Sequence, residues 1–239
     1  MKNSFSTATD RATPSFEILY EDEALIFVNK PPGFVVQRGY DPDEPVLFDS
    51  VRDLLAARGE SAFLMQRLDR GTSGVIFFTK QSKVNRRVTR SFERGTIRKL
   101  YLALCRGQLR DAQTIDAPIE RIGAIQFGVG EGGRRAITSL TPLISGDAGT
   151  LLAIRLHTGR THQIRVHLAA IGHPLVGDWL YGDRDASRPM LHAHRLVMTH
   201  PVHGEPLEVE APLPADFRDE LVRRGLGDSS LAEDGPPSK

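Results

Sequence analysis

The chain predicts an α+β fold, a mixed but mostly antiparallel sheet flanked by helices and loops, and two features of the sequence carry that expectation. Runs with strand-like alternation outnumber runs with a helical period. Neighbouring strand-like runs are often joined by short glycine-containing turns, the connections that hairpins use. "FEILYEDEALIFVNKPPG" reads as two strands around the acidic turn Glu21-Asp22-Glu23, stopped by Pro31-Pro32-Gly33. "DSVRDLLAARG" predicts a helix with Asp49 or Ser50 as N-cap and Gly59 as terminator. Val75 to Thr79 is strand-like. "SKVNRRVTRSFERG" places Val84, Val88 and Phe92 at i, i+4 and i+8, a helical stripe capped by Ser82 and ended by Gly95. "TIRKLYLALCRG" alternates as a strand, residues 113–145 read as short strands with glycine turns, and "GTLLAIRLHTG" is a further strand. In "RTHQIRVHLAAIGHP", Thr161 predicts a cap and Ile164, Leu168 and Ile171 a buried stripe, with Gly172 and Pro174 closing the helix. Two late strands, "MLHAHRLVMTHP" and "PLEVEAPLP", precede a helix from about Asp216 to Arg224. The domain is expected to span residues 16–224, with disordered segments at 1–15 and 225–239.

The bulk numbers exclude several classes. A content of 40% hydrophobic and 26% charged residues is that of an ordinary globular protein. No run approaches the ~18 apolar residues of a membrane helix, and the N-terminus has no apolar leader core. Cys105 is the only cysteine, so no intrachain disulfide can form, which fits a cytoplasmic setting. The net charge of +1 conceals an asymmetry. Residues 1–50 hold nine acids against four bases, and Glu205 to the end holds nine against four. Arg67 to Arg106 reverses this, with eleven cations against only Asp69 and Glu93. Of the 31 cations 25 are arginine, whose planar fork suits phosphate and base edges. A cationic stretch of this kind predicts a polyanion surface. Arg86, Arg87, Arg90 and Arg94, on the polar sides of one predicted helix, are its core.

The motifs narrow the chemistry. "GVGEGG" satisfies G-x-G-x-x-G, but the β-branched "RRAITSLTPLI" follows where a dinucleotide site needs a helix, so a glycine hairpin turn is the better reading. No Walker-type loop is present. The histidines form no H-E-x-x-H, and the lone cysteine excludes a cysteine-rich zinc site, so no metal is expected. "HTGRTHQIRVH" crowds two arginines and three histidines with no acid. Arg160, Thr161 and His162 stand where a helix begins, a place that favours an anion. Arg165, one turn in, borders the buried stripe, and a buried arginine needs a carboxylate. The unusual candidate is Asp69, set between Arg67 and Arg70 in "QRLDRGTSG" and flanked by the apolar runs "AFLM" and "VIFF". Physics alone leaves such a pair equally suited to a staple between helix and loop or to an active site.

Ordered blocks make the match specific. "YEDEALIFVNKPPG", "RLDRGTSGVIFFTK", "RKLYLALCRG", "LHTGRTHQIRVHLAAIGHPLVGDWLYG" and "LHAHRL" together resemble the RluA-type RNA pseudouridine synthases, from about Tyr20 to Pro212. The resemblance implies a pseudouridine synthase-like fold with a catalytic cleft across the sheet, and isomerisation of uridine in structured tRNA or rRNA without cofactor or metal. It implies that Asp69 is the catalytic aspartate, Tyr101 the tyrosine that stacks on the target base, and Arg165 the basic partner of the aspartate. It further implies that Arg67 enters the RNA stack near the flipped nucleotide. Arg70, Arg86, Arg87, Arg90, Arg94, Arg160, Thr161 and His162 are the remaining expected RNA contacts. Gln66 and Gln37 depart from the family, which usually has histidine there. No S4-like domain is expected in the short segment before the first strand, and the enzyme is expected to act as a monomer. Alternation along "KLYLAL" sets Leu100, Leu102 and Leu104 on one face and turns Tyr101 to the other, where it is expected to be free to meet a base.

Overall fold

A computed structural model describes residues 15–39, 44–182 and 184–227. The chain opens with the antiparallel pair β1 (Glu17–Glu21) and β2 (Leu25–Lys30), turned by Asp22, whose carboxylate accepts the backbone N–H groups of Ala24 and Leu25. Helix α1 (Leu47–Ala56) begins two to three residues before the expected caps. Val46 flanks it without a side-chain cap, and Asp49 sits in the first turn, where its charge complements the helix dipole. After the short β3 (Phe63–Leu64) comes β4 (Ser73–Thr79), buried along its whole length. Helix α2 (Ser82–Glu93) buries Val84 and Val88 and leaves Arg86, Arg87, Arg90 and Arg94 exposed, as its period predicts. Gln81 rather than Ser82 precedes its first residue.

The strands β5 (Arg98–Cys105), β6 (Gln113–Asp116), β7 (Ile119–Arg121), β8 (Phe127–Val129), β9 (Ile137–Gly146) and β10 (Gly149–Leu156) follow. The "GVGEGG" segment leaves β8 as a turn and leads to β9, not to a helix. Helix α3 (Gln163–Ala170), β11 (Leu191–Thr199), β12 (Pro206–Glu210) and α4 (Ala215–Arg223) complete the described chain. Most of the expected disordered segments lie outside the described residues. Leu226, inside the expected C-terminal tail, is buried beside α4, so packing continues past residue 224.

The main sheet runs β1-β2-β4-β11-β5-β10-β9-β6, with β12 added to β11 and β3 to β4. Every pairing in it is antiparallel except β4 with β11. This is the expected α+β class. Both sheet faces are covered. Ile76 and Phe78 join the cluster with α1 and α3, while Val75 and Phe77 join that of α2. Leu102 and Leu104 pack on α4. Sheets covered on both sides bury both alternating sets of side chains.

The single parallel pairing brings the loop before β4 against the start of β11. Gly74 lies at the seam with φ +108°, and a Cβ there would fall 2.1 Å from the Ala193 carbonyl oxygen. Backbone does not yield to such an overlap. Gly74→Ala is therefore expected to destabilise the domain by about 2 kcal/mol or more, read as a lower denaturation midpoint. A midpoint equal to wild type would show that the seam is not closely packed.

Candidate active site

Asp69 stands in the loop between β3 and β4, just where that seam forms. The carbonyl of Asp69 accepts the N–H of Thr72 at 3.0 Å, closing a tight turn. The three following carbonyls are held by buried cations. Lys30 at the end of β2, fully buried, donates from Nζ to the carbonyls of Arg70 (3.0 Å) and Thr72 (2.7 Å), and to that of Pro31. Arg188 donates from Nη1 to the Gly71 carbonyl at 3.0 Å, while Nε and Nη2 grip both oxygens of Asp216 at the start of α4. Burial pushes the Lys30 ammonium down to about 7 and the nearby Arg188 charge adds to this, while Asp69 opposes it. Three carbonyls engage three N–H donors, a number only the ammonium possesses. Neither Lys30 nor Arg188 was singled out from the sequence.

Arg165 reaches Asp69 from α3, but its principal partner is another carboxylate. Nε and Nη2 each donate to Asp178 at 2.8 Å in a two-pronged pair, and only Nη1 turns to Asp69, at 3.4 Å. Asp178 is fully buried and Arg165 side-chain exposure is 8%, whereas Asp69 keeps 29% of its side chain open. Arg165 pairs with Asp69 as expected, and Asp178, not expected, takes the other edge of the guanidinium to complete a triad. The Tyr181 ring lies beside the guanidinium, 5.1 Å from its central carbon.

The start of α3 also differs from expectation. Thr161 is exposed and does not cap the helix. His162 occupies the flanking position with φ 55°, the only non-glycine positive φ among the described residues. Gln163 instead reaches back, its side-chain oxygen accepting the Arg160 N–H at 3.0 Å, so that donor is not open to an anion. His162 is held by a hydrogen-bond chain. The Tyr181 hydroxyl accepts the Phe127 N–H at 3.0 Å and lies 2.8 Å from His162 Nδ1, while His162 Nε2 faces Asp69 at 3.9 Å. Burial holds His162 below the ordinary histidine range, in keeping with a neutral ring.

Tyr101 points away from Leu102 and Leu104, but it is not freely exposed. It retains 6% exposure and packs among Leu68, Ala103 and Ile154. The expectation of an open ring fails because both faces of β5 are covered. Its hydroxyl has no hydrogen bond to a described residue, and burial, followed by the Asp69 charge, pushes its pKa well above the tyrosine range. Arg70 is not free either: it pairs with Glu44 at 2.9 Å and donates to the Gly33 carbonyl. Arg67 is exposed and has no acidic partner among the described residues. The Gln66 side-chain nitrogen is buried without a partner, at the position where the family usually has histidine.

The site therefore brings Asp69 to the open side of a buried Arg165–Asp178 pair, near Tyr101, on a loop held by buried cations. Residues 24–170 match the family described as RNA pseudouridylate synthase, and the chain belongs to that family. It is an RNA pseudouridine synthase, an isomerase. It is 38% identical over 216 residues to ribosomal large subunit pseudouridine synthase D of Nitrosomonas europaea, covering 84% of this chain and 63% of that protein. It is 36% identical over 236 residues to tRNA pseudouridine synthase C of Salmonella typhimurium, covering 87% and 90% respectively. Human RNA Pseudouridylate Synthase Domain Containing 1 shares the fold with a TM-score of 0.72 at 26% identity, over 97% of this chain and 100% of that one.

The two carboxylates on Arg165 should separate in stability. Asp178→Asn breaks a buried pair and is expected to cost about 3–5 kcal/mol. Asp69→Asn loosens one long, partly open contact and should cost less than about 1 kcal/mol. Chemical denaturation of the two variants checks the order. Equal losses would mean that Arg165 is shared evenly.

Proposed function

We propose that this enzyme isomerises particular uridines in structured tRNA or ribosomal RNA, with Asp69 performing the chemistry and no cofactor taking part. Two relatives carry names that specify tRNA and large-subunit rRNA respectively, which supports that substrate class. The observation that carries the assignment of Asp69 is its exposure: it is the one member of the Asp178–Arg165–Asp69 triad that a substrate can touch. The reaction breaks the N1–C1′ bond, turns the uracil and joins C5 to C1′. A proton leaves C5 and one is gained at N1, so neither oxidant nor reductant is required. Whether the carboxylate attacks C1′ or takes the C2′ proton, it must be ionised.

Each neighbour has a part that follows from its position. Arg165 presents one N–H to Asp69 and keeps the rest of its fork on Asp178, so it orients the carboxylate without neutralising it in a tight pair. Tyr101 is a packed ring near Asp69, and base–aromatic stacking on it would contribute about 1–3 kcal/mol per base. The target must leave its stack at a cost of a few kcal/mol. The exposed Arg67, two residues from Asp69, is placed to fill the gap. Arg86, Arg87, Arg90 and Arg94 hold phosphates from the open face of α2. Arg160, whose Nε donates to the Arg135 carbonyl, and His162, whose Nε2 faces Asp69, add contacts from the start of α3.

Asp69→Asn is expected to abolish tritium release from RNA labelled at uridine C5 while leaving RNA affinity within a few-fold. Appreciable release by the purified variant would sink the assignment. For Tyr101, single-turnover rates should rank wild type above Tyr101→Phe and that above Tyr101→Leu. Phenylalanine keeps the packed ring and removes an unpartnered hydroxyl, so its melting temperature should match wild type; leucine leaves a void and should lower it. A large fall in melting temperature for Tyr101→Phe with normal turnover would return this residue to the core alone.

A further inference from the structure

Lys99 is a half-buried cation for which the described residues provide no counter-charge. The other well-buried lysines are fully engaged. Lys30 donates to three carbonyls, and Lys80 pairs with Glu21 at 2.8 Å and Glu60 at 2.7 Å. Lys99 has neither an ion pair nor a hydrogen bond to a described residue, and burial lowers its pKa with no acid opposing that effect. Its Nζ stands over the Phe92 ring of α2, 5.7 Å from the centroid. On its other side is Gly159, where a Cβ would lie 3.7 Å from Nζ. A cation–π contact of this kind contributes about 0.5–1 kcal/mol, too little to offset the desolvation of an ammonium.

The position gives the unpaired charge a meaning. Lys99 lies two residues before Tyr101 on the same strand, roughly 7 Å along it; Tyr101 packs in the cluster of α1 and α3, while Lys99 reaches Phe92 of the α2 cluster. Phe92 belongs to the helix that carries Arg86, Arg87, Arg90 and Arg94, and Gly159 immediately precedes Arg160. Lys99 Nζ therefore lies between the helix that carries one group of arginines and the segment that carries Arg160, and none of these arginines is paired with a described acid. Gly159 has no side chain to cover the ammonium.

We propose that Lys99 Nζ binds a backbone phosphate of the RNA strand that carries the target uridine, next to the flipped nucleotide. This rests on the RNA-substrate reading above. The phosphate supplies the missing counter-charge, and Phe92 holds the lysine stem pointing at it. The contact ties the strand's path to Tyr101 and so selects which nucleotide falls over the ring.

The probe is an unmodified RNA stem-loop transcript with uridines in its loop, bound to the full chain across a salt series. Lys99→Met keeps the stem over Phe92 and removes the charge; Lys99→Arg keeps the charge. The slope of log affinity against log salt should become shallower by about 0.7–0.9 in Lys99→Met and return in Lys99→Arg. Melting temperature in Lys99→Met should be equal to wild type or higher, since an uncompensated charge is gone. Neutral methylphosphonate linkages in the loop should weaken wild type at one position and leave Lys99→Met unaffected there. If the methionine variant does not fold, Lys99→Gln takes its place. An unchanged slope, or a lowered melting temperature with an unchanged slope, would overturn the proposal and make Lys99 a packing residue. The reading beneath it is tested separately, by pseudouridine formation by the wild type in RNA from cells lacking this gene. Activity there with an unchanged Lys99→Met slope overturns the phosphate contact alone, and absence of both activity and salt-dependent binding overturns both.

Discussion

The guanidinium of Arg165 is the point on which the site depends, because it must serve two carboxylates with one planar fork. Asp178 takes both N–H groups of one edge at 2.8 Å, and the remaining Nη1 is left for Asp69 at 3.4 Å. An arginine this buried without a full partner would be strongly unfavourable. Asp178 removes that difficulty and thereby frees Asp69 from being the structural counter-ion. Placing Arg165 so deep explains why α3 is buried along Gln163–Leu168 instead of on one stripe. It also explains why the chain enters the helix through a left-handed His162, a conformation that holds where its surroundings over-determine it.

The surroundings over-determine the Asp69 loop as well. Loops are ordinarily the mobile part of a domain, yet here the carbonyls of residues 70, 71 and 72 are held by Lys30 at the end of β2 and Arg188 in the segment before β11. Backbone carbonyls are suitable partners for these cations because they fix the chain without competing for the Asp69 carboxylate. The start of α3 is tied by Tyr181, whose hydroxyl joins the β8 backbone to His162. These ties leave Asp69 the least encumbered charged group of the site, with 29% of its side chain open.

Much of this was legible in the sequence, and what was missed has identifiable causes. Alternation and glycine turns located the strands, and the apolar stripe of α2 located its exposed arginines. Asp69 stood out because a charge between apolar runs demands an explanation. Asp178 did not, because in "VGDWLYG" an aspartate beside glycine reads as a turn residue. Arg70 looked free because its partner Glu44 lies far back in the chain. Thr161 looked like a cap because local rules do not reveal that Gln163 will reach back to Arg160. Tyr101 was placed on the correct side of β5, but alternation reports direction, not exposure, and both sides of this sheet are covered.

The charge asymmetry acquires a structural account when the ion pairs are sorted by their partners. Acids of the first fifty residues bind cations near the sheet edge and α1: Glu21 takes Arg58 and Lys80, and Asp49 takes Arg38 and Arg52. Acids of the C-terminal part bind cations there: Glu208 and Glu210 take Arg195, Glu220 takes Arg223 and Arg224, and Asp216 takes Arg188. None of these reaches Arg67, the α2 arginines, Lys99 or Arg160. The near-zero net charge therefore does not describe the surface that RNA would meet. Pairing acids with cations elsewhere keeps the molecule close to neutral at a distance, where charge would bind any polyanion. It leaves uncompensated cations along the segment that approaches Asp69, within a Debye length of about 8 Å at physiological salt. A charge pattern of this kind concentrates positive potential near the Asp69 loop rather than over the whole surface.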